Sequence, residues 1–400
     1  MAGPLADTNY ILLAVIVVLA AATFGEALAR WLGLPEVTGE LCIGILLGNL
    51  GLLSGWAFFD FIREMPFLRV IGDMGAIILL VTIGLHTDLG GVIKVGLSSF
   101  LVAVIGVIVP AGLGFLACQL IMPEASLCTK LFLVASLCVN SAGIAIRVFT
   151  ESGKLDAPET RIVIAATLLD VIFIFFIVGM LSGIIQAGHF NPTGVLKEGG
   201  QAALFLVFIG VVSLRYGQAL GGFITRKFPE SLKVVVGVVA SLFLAYLAGI
   251  IGMSPIVGAF GAGLLMRDVR AKDPEGVEWS IEEMLRPAYL TLVPLFFVLL
   301  GAKVRLESFW DREVLMMGLA VTMVAVLGKL VAGFGVREKG INRLWVGVGM
   351  IPRAEMALIV ASMGLAVGAL DARAYSSVVI MVVLTSLFGP PVLRRLLSSP

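Results

Sequence analysis

Long apolar runs fill the chain, separated by short polar or glycine-containing joints. A helix that crosses a bilayer needs about 20 apolar residues. The pattern predicts about thirteen such spans: 9–32, 38–56, 66–85, 93–121, 127–149, 160–185, 199–222, 232–252, 254–267, 286–302, 312–336, 342–369 and 374–396. The ninth is short and reads as a candidate half-helix. The fold class is all-α, polytopic in the membrane. Glycine, 47 of the 400 residues, is spread through the runs, which predicts close helix packing and local unwinding rather than linkers.

Two runs carry a break. In "LFLVASLCVNSAGIAIRVF", the stretch Asn140-Ser141-Ala142-Gly143 places three weak helix formers, Asn140, Ser141 and Gly143, at mid-run. In "MIPRAEMALIVASMG", Pro352 removes a backbone donor, and Arg353 and Glu355 put two charges in apolar sequence. Irregular backbone at membrane depth survives only where protein or a water-filled cavity satisfies it. The breaks lie about 210 residues apart, as two halves of one chain require, and such paired interruptions point to a transport site.

Composition removes the soluble classes. The chain is 59% hydrophobic and 14% charged, with a mean hydropathy of +1.07, more apolar surface than a soluble fold of this size hides. A net charge of +1 argues against a nucleic-acid partner. No Lys or Arg precedes the first run, so the start reads as an exposed leader into a true span, not a cleaved signal. Cys42, Cys118, Cys128 and Cys138 have no metal-ligand spacing and read as small buried hydrophobes. No cofactor is expected. One set of loops, with Arg30, Lys94, Arg147, Lys154, Arg226, Lys227, Arg337, Arg394 and Arg395 among its charges, holds about twice the basic residues of the other, which includes Arg63, Lys130, Lys303 and Arg373. The richer set is placed in the cytoplasm, with the N-terminus outside and the C-terminus inside. The longest polar connector runs from Arg267 to Arg286, so no soluble domain is expected and a regulatory domain would belong to a separate chain.

Ionisable residues deep in a span are functional candidates. Asp170 lies nine residues beyond Arg161, about 13 Å in at a helical rise, near the bilayer midplane. It reads as a transport carboxylate or as an acid joining two helices. Lys329 either reaches inward or snorkels to the cytoplasmic face. Arg353 and Glu355, two apart, face different sides of a helix and call for separate partners. They either support a broken helix or bind the ion directly.

Five segments now carry a resemblance: "LGLPEVTGELCIGILLGNLGLL", "AIILLVTIGLHTDL", "GMSPIVGAFGAGLLM", "VLGKLVAG" and "VGMIPRAEMALIVA". In this order they resemble the monovalent cation:proton antiporters, in the branch of NapA-like sodium/proton exchangers and Kef-type potassium/proton transporters. The resemblance covers nearly the whole chain. It implies two inverted repeats with crossed interrupted helices in a single transmembrane domain, 1–400. A core, about 66–185 and 286–369, would move against an interface domain, about 9–56 and 199–267, in a homodimer of the bacterial inner membrane. It also implies that Asp170 is the essential carboxylate and cation ligand, that Asn140 and Ser141 are the polar residues of the crossing, and that Lys329, Arg353 and Glu355 support it. The chain departs from the pattern at Leu169, where electrogenic members commonly carry a second acid, and at Ala354, where the family has glycine. Lys329 has thereby lost its usual partner and is left to Asp170 or to none.

The expected function is antiport of a monovalent cation, Na⁺ first and K⁺ second, with Li⁺ not separated from them, against protons by alternating access. A carboxylate in a partly dry cavity holds a proton or a dehydrated cation, but not both. Asn140, Ser141 and freed carbonyls would replace the ion's water shell. The alternatives are a Kef-type potassium efflux transporter or channel, an organic-anion symporter on the same inverted-repeat fold, and a sensor or scaffold on an inactive transporter fold.

Overall fold

The computed structural model describes residues 8–54, 62, 65–87, 96–154, 156–187, 192–227, 230–251, 254–267, 270–272 and 278–398. Arg63, Lys94 and the motif ends at 88–89 and 252–253 lie outside the described residues. The helices are α1 (Thr8–Trp31), α2 (Glu36–Gly48), α3 (Leu50–Ser54), α4 (Pro66–His86), α5 (Leu97–Ile121), α6 (Leu127–Cys138), α7 (Ala142–Glu151) and α8 (Pro158–Ala187). They continue as α9 (Pro192–Lys227), α10 (Glu230–Ile250), α11 (Pro255–Met266), α12 (Ile281–Ala302), α13 (Arg312–Ala332), α14 (Arg343–Gly349), α15 (Glu355–Ala366) and α16 (Ala372–Ser398). Eight are long and apolar enough to cross a membrane among the described residues. The polar connector before α12 forms a short antiparallel ribbon, β1 (Arg270–Lys272) with β2 (Glu278–Ser280).

Two compact units share the chain: Met1–Leu19, Met65–Gly90 and Val178–Phe297 in the first, the remainder in the second. In the first, α11 packs against α4, α9 and α10. It is 12 residues long and buried on all sides, from Val257 through Leu264. Its glycines make this possible. A Cβ on Gly263 would stand 2.1 Å from the Val81 carbonyl oxygen, and one on Gly258 2.2 Å from that of Leu244.

In the second unit α13 packs along α5 and against α16, while α6 lies on α5 and α15. Pro110, inside α5, rests on Gly328 of α13, where a Cβ would meet the proline ring at 2.4 Å. The same device joins α2 to the end of α12: a Cβ on Gly44 would reach the Val298 carbonyl oxygen at 2.2 Å, and one on Gly301 that of Leu41 at 2.4 Å.

The run 38–56, predicted as one span, breaks at Asn49. Its amide nitrogen donates to the Ile45 and Val304 carbonyls at 2.7 and 2.9 Å, and its oxygen accepts from Leu306 N–H at 3.0 Å. Backbone groups freed at the ends of α2 and α12 are thus satisfied by one side chain. The reading of all four cysteines as buried also needs correction. Cys118 and Cys138 are buried, Cys128 is half-buried and Cys42 is exposed on α2. A small thiol suits an apolar outer face as well as a core.

Candidate functional site

The two predicted breaks are real and they meet. α6 ends at Cys138, Val139 and Ser141 are extended, and α7 starts at Ala142. α14 ends at Gly349, and α15 starts at Glu355. The Ser141 N–H donates to the Pro352 carbonyl at 2.8 Å. A backbone donor with no partner in its own helix is therefore satisfied by the opposite break, as membrane depth demands.

Four helix ends converge there, and each of the two charges sits at ends of opposite sign. Arg353 is fully buried and pairs with no carboxylate among the described residues. Its Nε and Nη2 donate to the Leu137 carbonyl, in the last turn of α6, at 3.1 and 2.8 Å. The remaining bonds go to Ile351 and Ala325 carbonyls at 2.9 and 3.1 Å. A guanidinium fork suits this task, since its rigid donors match several carbonyls at once. Its charge also faces the negative end of a helix. Glu355 is the first residue of α15 and accepts from the Ser141 hydroxyl at 3.1 and 3.0 Å, Ser141 being the N-cap residue of α7. Its carboxylate thus faces the positive ends of two helices. Of the alternatives left open for this pair, the contacts match support of the break, with separate partners.

Asp170, on α8, and Lys329, on α13, form one buried ion pair, Nζ to Oδ2 at 2.6 Å, with side-chain exposures of 1% and 0%. Lys329 does not snorkel. Gly106 of α5 makes room for the ammonium, because a Cβ there would lie 3.1 Å from Nζ. The second oxygen, Asp170 Oδ1, is buried and has no partner among the described residues. Asn140 Oδ1 is in the same condition. The Asn140 nitrogen donates to Thr167 Oγ1 at 3.0 Å and approaches Met350 Sδ at 3.2 Å. Thr167 and Asp170 are three apart on α8, on one face. Two acceptor oxygens are thus left over beside a single helical turn, in a dry site where a bare acceptor is costly.

A sequence profile of the family described as "Sodium/hydrogen exchanger, transmembrane" matches residues 15–398. The chain belongs to that family. The High-affinity Na(+)/H(+) antiporter NhaS3 of Synechocystis is 30% identical over 96% of this chain and 89% of its own length. The Na(+)/H(+)-K(+) antiporter GerN of Bacillus cereus is 28% identical over 91% of this chain and 90% of its own. The solved sodium proton antiporter MjNhaP1 from Methanocaldococcus jannaschii at pH 8 matches with a TM-score of 0.69 at 15% identity. It covers 97% of this chain and 100% of that one, which bears on the fold alone. As a member of the exchanger family, the protein is an integral membrane protein.

In this family member the fold gathers all six residues singled out from sequence, Asn140, Ser141, Asp170, Lys329, Arg353 and Glu355, around the meeting point of the breaks. Thr167 and Met350 also belong to the site and were not singled out. Thr167 carried a signal, its three-residue spacing to Asp170. Met350 carried none, since a methionine in an apolar run reads as packing.

Proposed function

We propose that this exchanger moves a monovalent cation, Na⁺ first and K⁺ second, against protons by alternating access, with Asp170 holding each in turn. The observation that carries the proposal is the pair of buried, unpartnered acceptors, Asp170 Oδ1 and Asn140 Oδ1, beside the crossing. Oxygen acceptors with no donor suit a dehydrated cation, and nearby carbonyl dipoles add to the set. Asp170 neutralised by a proton or by a metal cation crosses at low cost. The bare carboxylate does not. A cation beside Asp170 repels the Lys329 ammonium, so its arrival weakens the 2.6 Å ion pair. Binding of one charge then excludes the others, which is the condition for exchange.

The wider reading extends this. Thirteen spans in two inverted repeats would place the 139–141 and 350–354 breaks as each other's counterparts. The core, about 66–185 and 286–369, would rock against an interface domain, about 9–56 and 199–267, in a homodimer of the bacterial inner membrane with the N-terminus outside. Relatives support the cation: NhaS3 and GerN are named for Na⁺, and GerN also for K⁺.

The test is proton flux in proteoliposomes on addition of Na⁺, K⁺ or Li⁺. Wild-type protein dissipates a pH gradient on cation addition, whereas Asp170→Asn stays folded and monodisperse but inert. Undiminished exchange by Asp170→Asn overturns the proposal.

A further inference from the structure

Asn140 poses a specific chemical question. A carboxamide offers oxygen on one side and nitrogen on the other, and only the oxygen side binds a cation. Its neighbours decide which side faces the site. Thr167 Oγ1 donates its single hydrogen to the Val163 carbonyl at 2.8 Å, one turn back on α8, with the Met350 sulfur a second acceptor at 3.5 Å. Either way the hydroxyl has no hydrogen left for Asn140 and presents a lone pair. The group facing it is therefore the amide nitrogen, 3.0 Å away. The other amide hydrogen meets Met350 Sδ at 3.2 Å, which is also an acceptor. The reversed amide would set its oxygen against two acceptors.

We infer that Thr167 and Met350 clamp the Asn140 amide so that its oxygen, not its nitrogen, faces the cation. The clamp draws on all three parts of the crossing. Asn140 comes from the first break, Met350 from the second, and Thr167 from the helix that carries Asp170. All three are buried, with Thr167 and Met350 fully so, and water does not compete for the amide. The two residues are positioning residues: they act through Asn140 and set apparent cation affinity. The inference deepens the exchanger reading proposed above and rests on it.

The experiment measures exchange rate against Na⁺ concentration in proteoliposomes. Thr167→Val keeps the shape and removes the acceptor. It is expected to raise the KM for Na⁺ about fivefold, the order set by one lost hydrogen bond, with a smaller fall in maximal rate. Thr167→Ser, which keeps the hydroxyl, stays near wild type. In an Asn140→Ala background Thr167→Val adds nothing further, because the amide it orients is gone. A Thr167→Val protein with wild-type KM, or an equal rise in both backgrounds, overturns the clamp. If Thr167→Val does not fold, Met350→Leu makes the same comparison, with a rise of about threefold expected in wild type and none beside Asn140→Ala. Asp170→Asn is measured alongside. Exchange surviving there removes the exchanger reading and the clamp with it. Exchange lost there with Thr167→Val silent removes the clamp alone.

Discussion

Lys329 Nζ stands 2.6 Å from Asp170 Oδ2, and neither side chain reaches water. The pair therefore balances itself, since no solvent remains to screen either charge. Lys329→Met leaves Asp170 without its counter-charge and is expected to lower stability by about 3–5 kcal/mol, the usual cost of breaking one half of a buried pair. Lys329→Met combined with Asp170→Asn removes both charges and recovers most of that loss. Thermal unfolding in detergent micelles checks both, and equal melting temperatures for wild type and Lys329→Met refute the role.

Arg353 satisfies three carbonyl oxygens on three separate stretches of chain. Lysine has the charge but not the fork. Arg353→Lys is expected to cost about 2–4 kcal/mol, two or more charge-assisted hydrogen bonds. Its melting temperature should fall clearly below that of a conservative change elsewhere in the core.

Glu355→Gln keeps an acceptor for Ser141 but withdraws a negative charge from two helix N-termini. The expected loss is about 1–2 kcal/mol, reflecting a partly buried helix-end charge. Ser141→Ala, which keeps the carboxylate and deletes one hydrogen bond, costs about 1 kcal/mol. Chemical or thermal unfolding of the two variants should rank them in that order.

Gly44→Ala sets a methyl 2.2 Å from the Val298 carbonyl oxygen, and the backbone atoms there have nowhere to go. A loss of about 1–3 kcal/mol is expected from overpacking. Gly112, on the exposed side of α5, has open space where a methyl would stand, with no atom of another element within 4 Å among the described residues. Gly112→Ala should gain about 0.5–1 kcal/mol through helix propensity. The pair of substitutions separates contact from propensity in one unfolding experiment.

Glu151, at the end of α7 and past the run 127–149, accepts from Arg147 at 2.9 Å and from Arg394 at 2.7 Å. The Arg147 hydrogen bond, then the Arg394 charge, hold its carboxyl below the ordinary value. A lowered folded value stabilises the fold above the unfolded carboxylate range, and that contribution disappears as pH falls through the lowered value. The melting-temperature gap between wild type and Glu151→Gln should therefore be present at neutral pH and close on acidification. Salt should narrow it too, because these side chains are exposed.

Much of the site was legible because membrane sequences hide so little. Pro352, the Asn140–Gly143 stretch and four deep charges are all out of place in hydrocarbon, so each announced a function or a partner. Which partner was another matter. Whether Lys329 would find Asp170 depended on two helices far apart in sequence, and no local pattern carries that. Thr167 went unread because a threonine inside an apolar helix commonly bonds its own backbone, as it does here to Val163. The Asn49 break was hidden by apolar residues on both sides, although the Gly48-Asn49 pair is a helix-ending signal.

The bond from Ser141 to Pro352 belongs to the peptide groups of both residues. Replacing either side chain leaves its donor and acceptor in place, and only a proline at 141 would delete the donor. Heredity can therefore rewrite the ion-facing side chains without unpicking the joint that presents them. A lineage could change its preferred ion while keeping this seam, and a catalogue of invariant side chains would never reveal that the seam is there.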